Sequence, residues 1–195
     1  GIQYLVTVLV IFFLAIVMAI AMRLEHARPG LGVLSLDNYN RVMSMHGISM
    51  IVVALIGVMA VLGNFALPLM IGAKDMAFPR FNALSFWILP PAVLILLAGF
   101  VLGGFDTGWT VYAPLSVQGP IGKLFFLLAF VTVGFSSIFG SVNFLATVFG
   151  LRTKGMGWFR MPIFVWAIFS AAVIALLATS VVASSLLMVI FDRVL

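Results

Sequence analysis

His46 has the most chemistry to offer in this sequence. It stands in Met43-Ser44-Met45-His46-Gly47-Ile48-Ser49-Met50, at the start of a long apolar run. An ionisable side chain inside an apolar helix marks a functional site by default. The imidazole is either an axial ligand of a haem or a histidine hydrogen-bonded to a neighbouring helix. Gly47 removes a side chain beside it, which would let a flat macrocycle approach. His26 lies in a charged stretch and reads as solvated.

Asp75 is the second candidate, in Gly72-Ala73-Lys74-Asp75-Met76-Ala77-Phe78-Pro79-Arg80-Phe81-Asn82. It either pairs with Lys74 or Arg80, or collects protons at the mouth of a polar path. Asn64, Asn82, Ser136, Ser137 and Asn143 stand in or beside other apolar runs and could hold a chain of waters, although serines also serve as small packing residues. Ser136 and Asn143 are two helical turns apart on one face. Arg23 ends the first apolar run, where it either hydrogen-bonds an acceptor at the membrane edge or snorkels. Trp109 and Tyr112 follow the third run. They either anchor at the interface or hold a cofactor carboxylate with their N–H and O–H.

The elements that must position these groups follow from composition. The chain has 195 residues, 65% of them hydrophobic and 8% charged, where a soluble domain is about 25% charged. The mean hydropathy is +1.32. So few charges cannot coat a globule in water, and the surrounding medium must be lipid or another apolar subunit. There is no cysteine, which excludes disulfides, thiolate metal sites and cysteine nucleophiles. Two histidines cannot build a site that needs three imidazoles. The net charge of +5 is spread along the chain without a basic run, so no nucleic-acid partner is expected.

Five apolar segments reach the length of a bilayer span, near 2–22, 42–73, 83–105, 123–150 and 161–191. All five are predicted to be helices, because backbone in lipid must satisfy its own hydrogen bonds. The first is too long for a secretory signal and lacks a basic start. The short links imply antiparallel neighbours in a single membrane domain over 1–195. The second segment is longer than a bilayer needs and contains Pro68, so it should tilt or kink. The run Gly134-Phe135-Ser136-Ser137-Ile138-Phe139-Gly140-Ser141 should let a neighbouring helix come close. Basic residues do not fix orientation. Lys74, Arg80, Arg152, Lys154 and Arg160 on one side balance Arg23, Arg28, Arg41, Lys123 and Arg193 on the other. The acids point weakly to loops two and four as cytoplasmic, since Glu25, Asp37, Asp106 and Asp192 oppose Asp75.

The run from Gly63-Asn64-Phe65-Ala66-Leu67-Pro68 through Lys74-Asp75-Met76-Ala77-Phe78-Pro79-Arg80 resembles subunit I of the haem–copper terminal oxidases. So do Met45-His46-Gly47, Leu84-Ser85-Phe86-Trp87, Gly108-Trp109-Thr110-Val111-Tyr112, Ser136-Ser137-Ile138, Asn143-Phe144 and both ends of the chain. The resemblance implies an all-α integral membrane fold, the first five of a bundle of about twelve helices, and therefore the amino-terminal half of the subunit. It implies that His46 is an axial ligand of a low-spin haem, of a or b type. Arg23 would bond a ring substituent of that haem, and Trp109 a propionate, with Gly47 and Tyr112 close by. Asp75 would open a D-type proton pathway lined by Asn64, Asn82, Ser136, Ser137, Asn143 and Tyr4. Glu25 takes the place of an acid at a calcium or sodium site in some members, although Gly32 lacks the side-chain oxygen they supply.

The implied activity is reduction of dioxygen to water coupled to proton translocation, with this chain not catalytic alone. The high-spin haem and copper, and their ligands, would lie in the complementary carboxy-terminal half. Further implied partners are subunits II and III, cytochrome c or a quinol as donor, and membrane lipid. The implied location is a bacterial or archaeal plasma membrane or the mitochondrial inner membrane. The chain is expected to be one product of a split subunit or a shortened form, with residues missing before Gly1. It departs from the family at Lys74, at Ala113, and at Leu127-Leu128-Ala129-Phe130-Val131, which replaces an acidic, histidine-bearing stretch. The alternatives are a non-catalytic haem-binding subunit and a structural or transport protein without haem.

Overall fold

The computed structural model describes residues 1–27, 29–30 and 32–195; at 53–56 it describes the backbone alone. Arg28 of the charge balance lies outside the described residues. Five helices are long and apolar enough to cross a membrane: α1 (Ile2–Glu25), α2 (Leu36–Ile71), α3 (Pro79–Val101), α4 (Gly122–Gly150) and α5 (Ile163–Val194). One short 3-10 turn, Trp158–Arg160, precedes α5. Among the described residues there is no strand.

The helix ends differ from the edges of the apolar runs, for local reasons. α2 starts at Leu36 because the Ser35 hydroxyl caps it, accepting the Asn38 N–H at 3.3 Å. Its first turns are polar, so hydropathy does not register them. α3 starts at Pro79, whose missing N–H is no loss in a first turn. It ends at Val101, short of the expected 105, because Gly103 and Gly104 take φ values of +101° and +67°.

α2 has an irregularity that its sequence does not mark. The helix runs on through Pro68, and a π-helical stretch occupies Ser49–Leu55, one turn beyond His46. Pro68 lies within a turn of the helix end at Ile71. α2 closes at Gly72, whose φ is +74°. The Ala73 N–H returns to the Pro68 carbonyl at 2.9 Å, and Thr153 of the α4–α5 link donates its N–H to Ile71 at 2.9 Å.

α3 packs most extensively on α4, and α4 on α5; α1 lies along α2. In lipid such packing depends on close backbone approach. The closest approach is at Gly99 and Gly122. A Cβ on Gly99 would lie 2.9 Å from the Gly122 carbonyl oxygen, and a Cβ on Gly122 would collide with the Gly99 carbonyl. In the Gly134–Ser141 run, Gly134, Ser136 and Ser141 are buried. Gly134 meets Thr179 of α5 at ordinary contact, and Gly140 has nothing within 4 Å. One apolar core, with Met45, Ile48, Phe105 and Phe126, packs the end where α2 begins; Phe105 stacks on Phe126 at 4.1 Å between centroids. A second, with Leu67, Ile71, Val148 and Met161, packs the other end.

Candidate functional site

At the first end, α1 fixes His46. The imidazole is half-buried and its Nδ1 lies 2.9 Å from the Ala15 carbonyl oxygen. A carbonyl only accepts, so Nδ1 carries the proton and Nε2 presents a lone pair. Nε2 has no hydrogen-bond partner among the described residues. An imidazole whose far nitrogen is held by a carbonyl is fixed in orientation and tautomer, the usual support of a histidine that ligates a metal.

The room beside Gly47 is taken by Trp109. A Cβ there would lie 3.7 Å from Trp109 Cδ1, so alanine would fit and anything larger would displace the indole. The same link is tied to α2 where the Gly108 N–H donates to Ser44 Oγ at 2.9 Å. Gly47 and Trp109 therefore come together, one residue along α2 from His46. Tyr112 is 73% exposed and Arg23 is exposed at the end of α1; neither makes a side-chain hydrogen bond among the described residues.

At the other end, three helices meet through polar side chains. Tyr4 Oη and Ser85 Oγ are 2.9 Å apart. Ser85 Oγ also lies 2.9 Å from the Asn82 carbonyl, and Ser136 Oγ donates to the Ser85 carbonyl at 2.5 Å. Beside them a cavity of about 460 Å³ is lined in part by Tyr4, Asn64, Ser136, Ser137 and Ser141. Asn64 donates to the Ala60 carbonyl at 2.8 Å, but its buried Oδ1 has no partner among the described residues. Asn143 is fully buried: its Oδ1 accepts the Phe78 N–H at 2.8 Å and its Nδ2 is likewise unpartnered among them. An unsatisfied buried polar atom costs about 1–3 kcal/mol, so such atoms call for ordered water.

Asp75 is exposed in the α2–α3 link, and its Oδ1 accepts the Met76 N–H at 2.7 Å. Among the described residues it forms no ion pair with Lys74 or Arg80. Asn143 and Thr147 dock this link, since Thr147 Oγ1 accepts the Ala77 N–H at 2.9 Å. Ser85 and Thr147 were missed as site candidates by sequence reasoning. Thr147 follows Asn143 by one turn, which was a readable signal. Ser85 stands among apolar residues and reads as packing.

Glu25 lines an open recess with His26, Pro29, Gly30, Leu34, Leu36 and Tyr39. Its Oε2 accepts the Leu34 N–H at 2.7 Å, and His26 Nε2 lies 2.8 Å from Tyr39 Oη. Among the described residues no three His, Asp or Glu side chains gather as a metal site.

Lys123, one of the basic residues in the charge balance, is 4% exposed and bonded to Asp106 at 2.7 Å and to the Leu115 carbonyl at 3.0 Å. The hydrogen bond from Lys123 holds the Asp106 carboxyl below its ordinary value, against a smaller opposing effect of burial.

The family described as "Cytochrome C and Quinol oxidase polypeptide I" matches residues 1–195. The chain belongs to this family. It is 43% identical over 194 residues to cytochrome c oxidase subunit 1 of Thermostichus vulcanus, covering 98% of this chain and 35% of that protein. It is 41% identical over 195 residues to the Synechocystis subunit 1, covering 100% of this chain and 35% of that one. A probable cytochrome c oxidase subunit 1-alpha of Streptomyces avermitilis is 41% identical over 198 residues, covering 99% and 34%. The chain thus spans about a third of the length of these oxidase subunits, less than the half that the resemblance implied.

Proposed function

We propose that this chain forms part of the catalytic subunit of a haem–copper respiratory oxidase, with His46 as an axial ligand of the low-spin haem. The observation that carries this is the fixed imidazole, Nδ1 held by Ala15 and Nε2 free, in a chain of this family. When bound, the haem supplies reversible one-electron transfer. The chain's own residues set its surroundings. Ala15 orients the ligand ring, Trp109 closes the space beside Gly47, and the apolar core of Met45 and Ile48 keeps water away. Arg23 and Tyr112 are the polar groups available at the rim.

The outer proton path begins at Asp75 and continues through Asn82, Asn64, Tyr4, Ser136, Ser137 and Asn143. Support comes from the Tyr4–Ser85 side-chain contact, the Ser136 hydroxyl on the Ser85 carbonyl, the unpartnered amide atoms, and a cavity with room for several waters. Glu25 is retained as a candidate alkali or alkaline-earth ligand. The rest of the subunit would bring the second axial ligand, the high-spin haem and copper. Subunits II and III are the further partners. The donor follows the relatives' name, cytochrome c, and the setting is a bacterial plasma membrane.

The test is the complex purified from membranes. Haem and copper together, with oxygen uptake from reduced cytochrome c, are expected. Haem without copper would favour the non-catalytic subunit, and the absence of haem would overturn the proposal. In the same complex, Asp75→Asn should slow proton uptake at least tenfold while leaving the haem spectra unchanged.

A further inference from the structure

The α3–α4 link, 102–121, carries Trp109 to α2, and its conformation is not one it would hold unaided. Val111 sits at φ +57° while almost fully buried. A β-branched residue enters that region at a cost and stays only where the surroundings over-determine it. The link is held at several points. Gly108 bonds Ser44 of α2. Arg193 of α5 donates to the carbonyls of Ser116, Gln118, Gly119 and Pro120 at 2.7–3.3 Å. Lys123 bonds both Asp106 and Leu115, one on each side of Val111.

Lys123 is the least expected of these groups. It lies in the first turn of α4, where the helix dipole disfavours a cation. It is also buried, where a charge is tolerated only if paired and hydrogen-bonded. Stability alone would be served as well by an apolar side chain. What the ammonium adds is a fixed length between α4 and both limbs of the loop. Arg41 of α2 completes the arrangement, its stem packed so closely on Gly104 that a Cβ there would lie 2.8 Å from Arg41 Cδ.

We propose that Lys123 is a positioning residue: through Asp106 and the Leu115 carbonyl it clamps the 102–121 loop so that Trp109 stays seated against Gly47, the residue after His46 on α2. This rests on the reading of His46 as a haem ligand. Lys123 acts through Trp109 on the environment of the haem, not on the haem itself.

The test uses the whole complex and reads the α-band and midpoint potential of the low-spin haem. Lys123→Met is expected to shift both, Asp106→Asn to shift them in the same direction, and the double variant to go no further than Lys123→Met. Arg152→Lys, which loosens a cation–π contact near the Trp158 turn, should destabilise the complex without moving either. If Lys123→Met does not assemble, Asp106→Asn carries the test, since its half-exposed site accepts an amide. An assembled variant of either residue with wild-type band and potential would overturn the proposal, as would shifts that add in the double variant. A wild-type complex without a low-spin haem band would sink the His46 reading first, and is recognisable before any variant is made.

Discussion

A histidine whose Nδ1 is committed to a backbone carbonyl has one nitrogen left for chemistry. That commitment could not be read from residues 43–50, because the acceptor is a main-chain atom of Ala15 on another helix. Residue type alone therefore leaves His46 open between ligand and packing group. Asn143 has the same lesson. Its side chain is an obvious polar intruder in an apolar helix, but the fact that it accepts the Phe78 N–H depends on how the α2–α3 link folds back. Replacing Asn143 and Thr147 together by alanine would leave the Ala77 and Phe78 N–H groups unpaired. At about 1–3 kcal/mol each, the link carrying Asp75 should loosen, and limited proteolysis at Lys74 should quicken at least tenfold. Asp106 supplies a pH dependence. Its folded pKa is depressed by Lys123, so the pair's contribution is complete above the ordinary carboxyl range. It is lost as pH falls through the lower folded value. Thermal unfolding of the complex followed down through that range should show this loss, and Asp106→Asn should abolish it.

At the scale of elements, hydropathy located five spans because lipid demands long uninterrupted apolar runs. It could not find their ends, which are set by a serine cap at Ser35, a proline at Pro79 and left-handed glycines at 103 and 104. It also could not find the π stretch at Ser49–Leu55, whose apolar sequence has no mark distinguishing it from α-helix. The α3–α4 crossing was hidden for a different reason. Gly99 and Gly122 lie on separate helices, and nothing in either sequence says that they face each other. Gly122→Ala would set a Cβ against three backbone atoms of Gly99 and Gly104 that cannot swing away. A loss of about 1–3 kcal/mol is expected, seen as a lower unfolding temperature. Gly140→Ala, with nothing within 4 Å, should be neutral in the same assay.

At the scale of the whole molecule, much of the outward surface is apolar. α1 and α5 turn long apolar faces outward, including Leu9, Phe13 and Val17 on one and Ile174, Leu177 and Met188 on the other, and the chain covers about a third of its relatives. Length and composition made the membrane setting readable from the start, and the ordered motifs made the family readable. What covers those outward faces is not encoded in this stretch of sequence. Under the proposed function, the chain expressed alone in detergent should bind haem poorly and aggregate, because the His46 face and the cavity beside Ser136 would be left to lipid or detergent. The most direct measurement is the reduced-minus-oxidised spectrum, with haemochrome quantification, of the membrane-purified complex carrying His46→Ala beside wild type. Loss of the low-spin haem band and of one haem equivalent is expected. A complex with His46→Ala that keeps both at wild-type level would contradict His46 as the iron ligand.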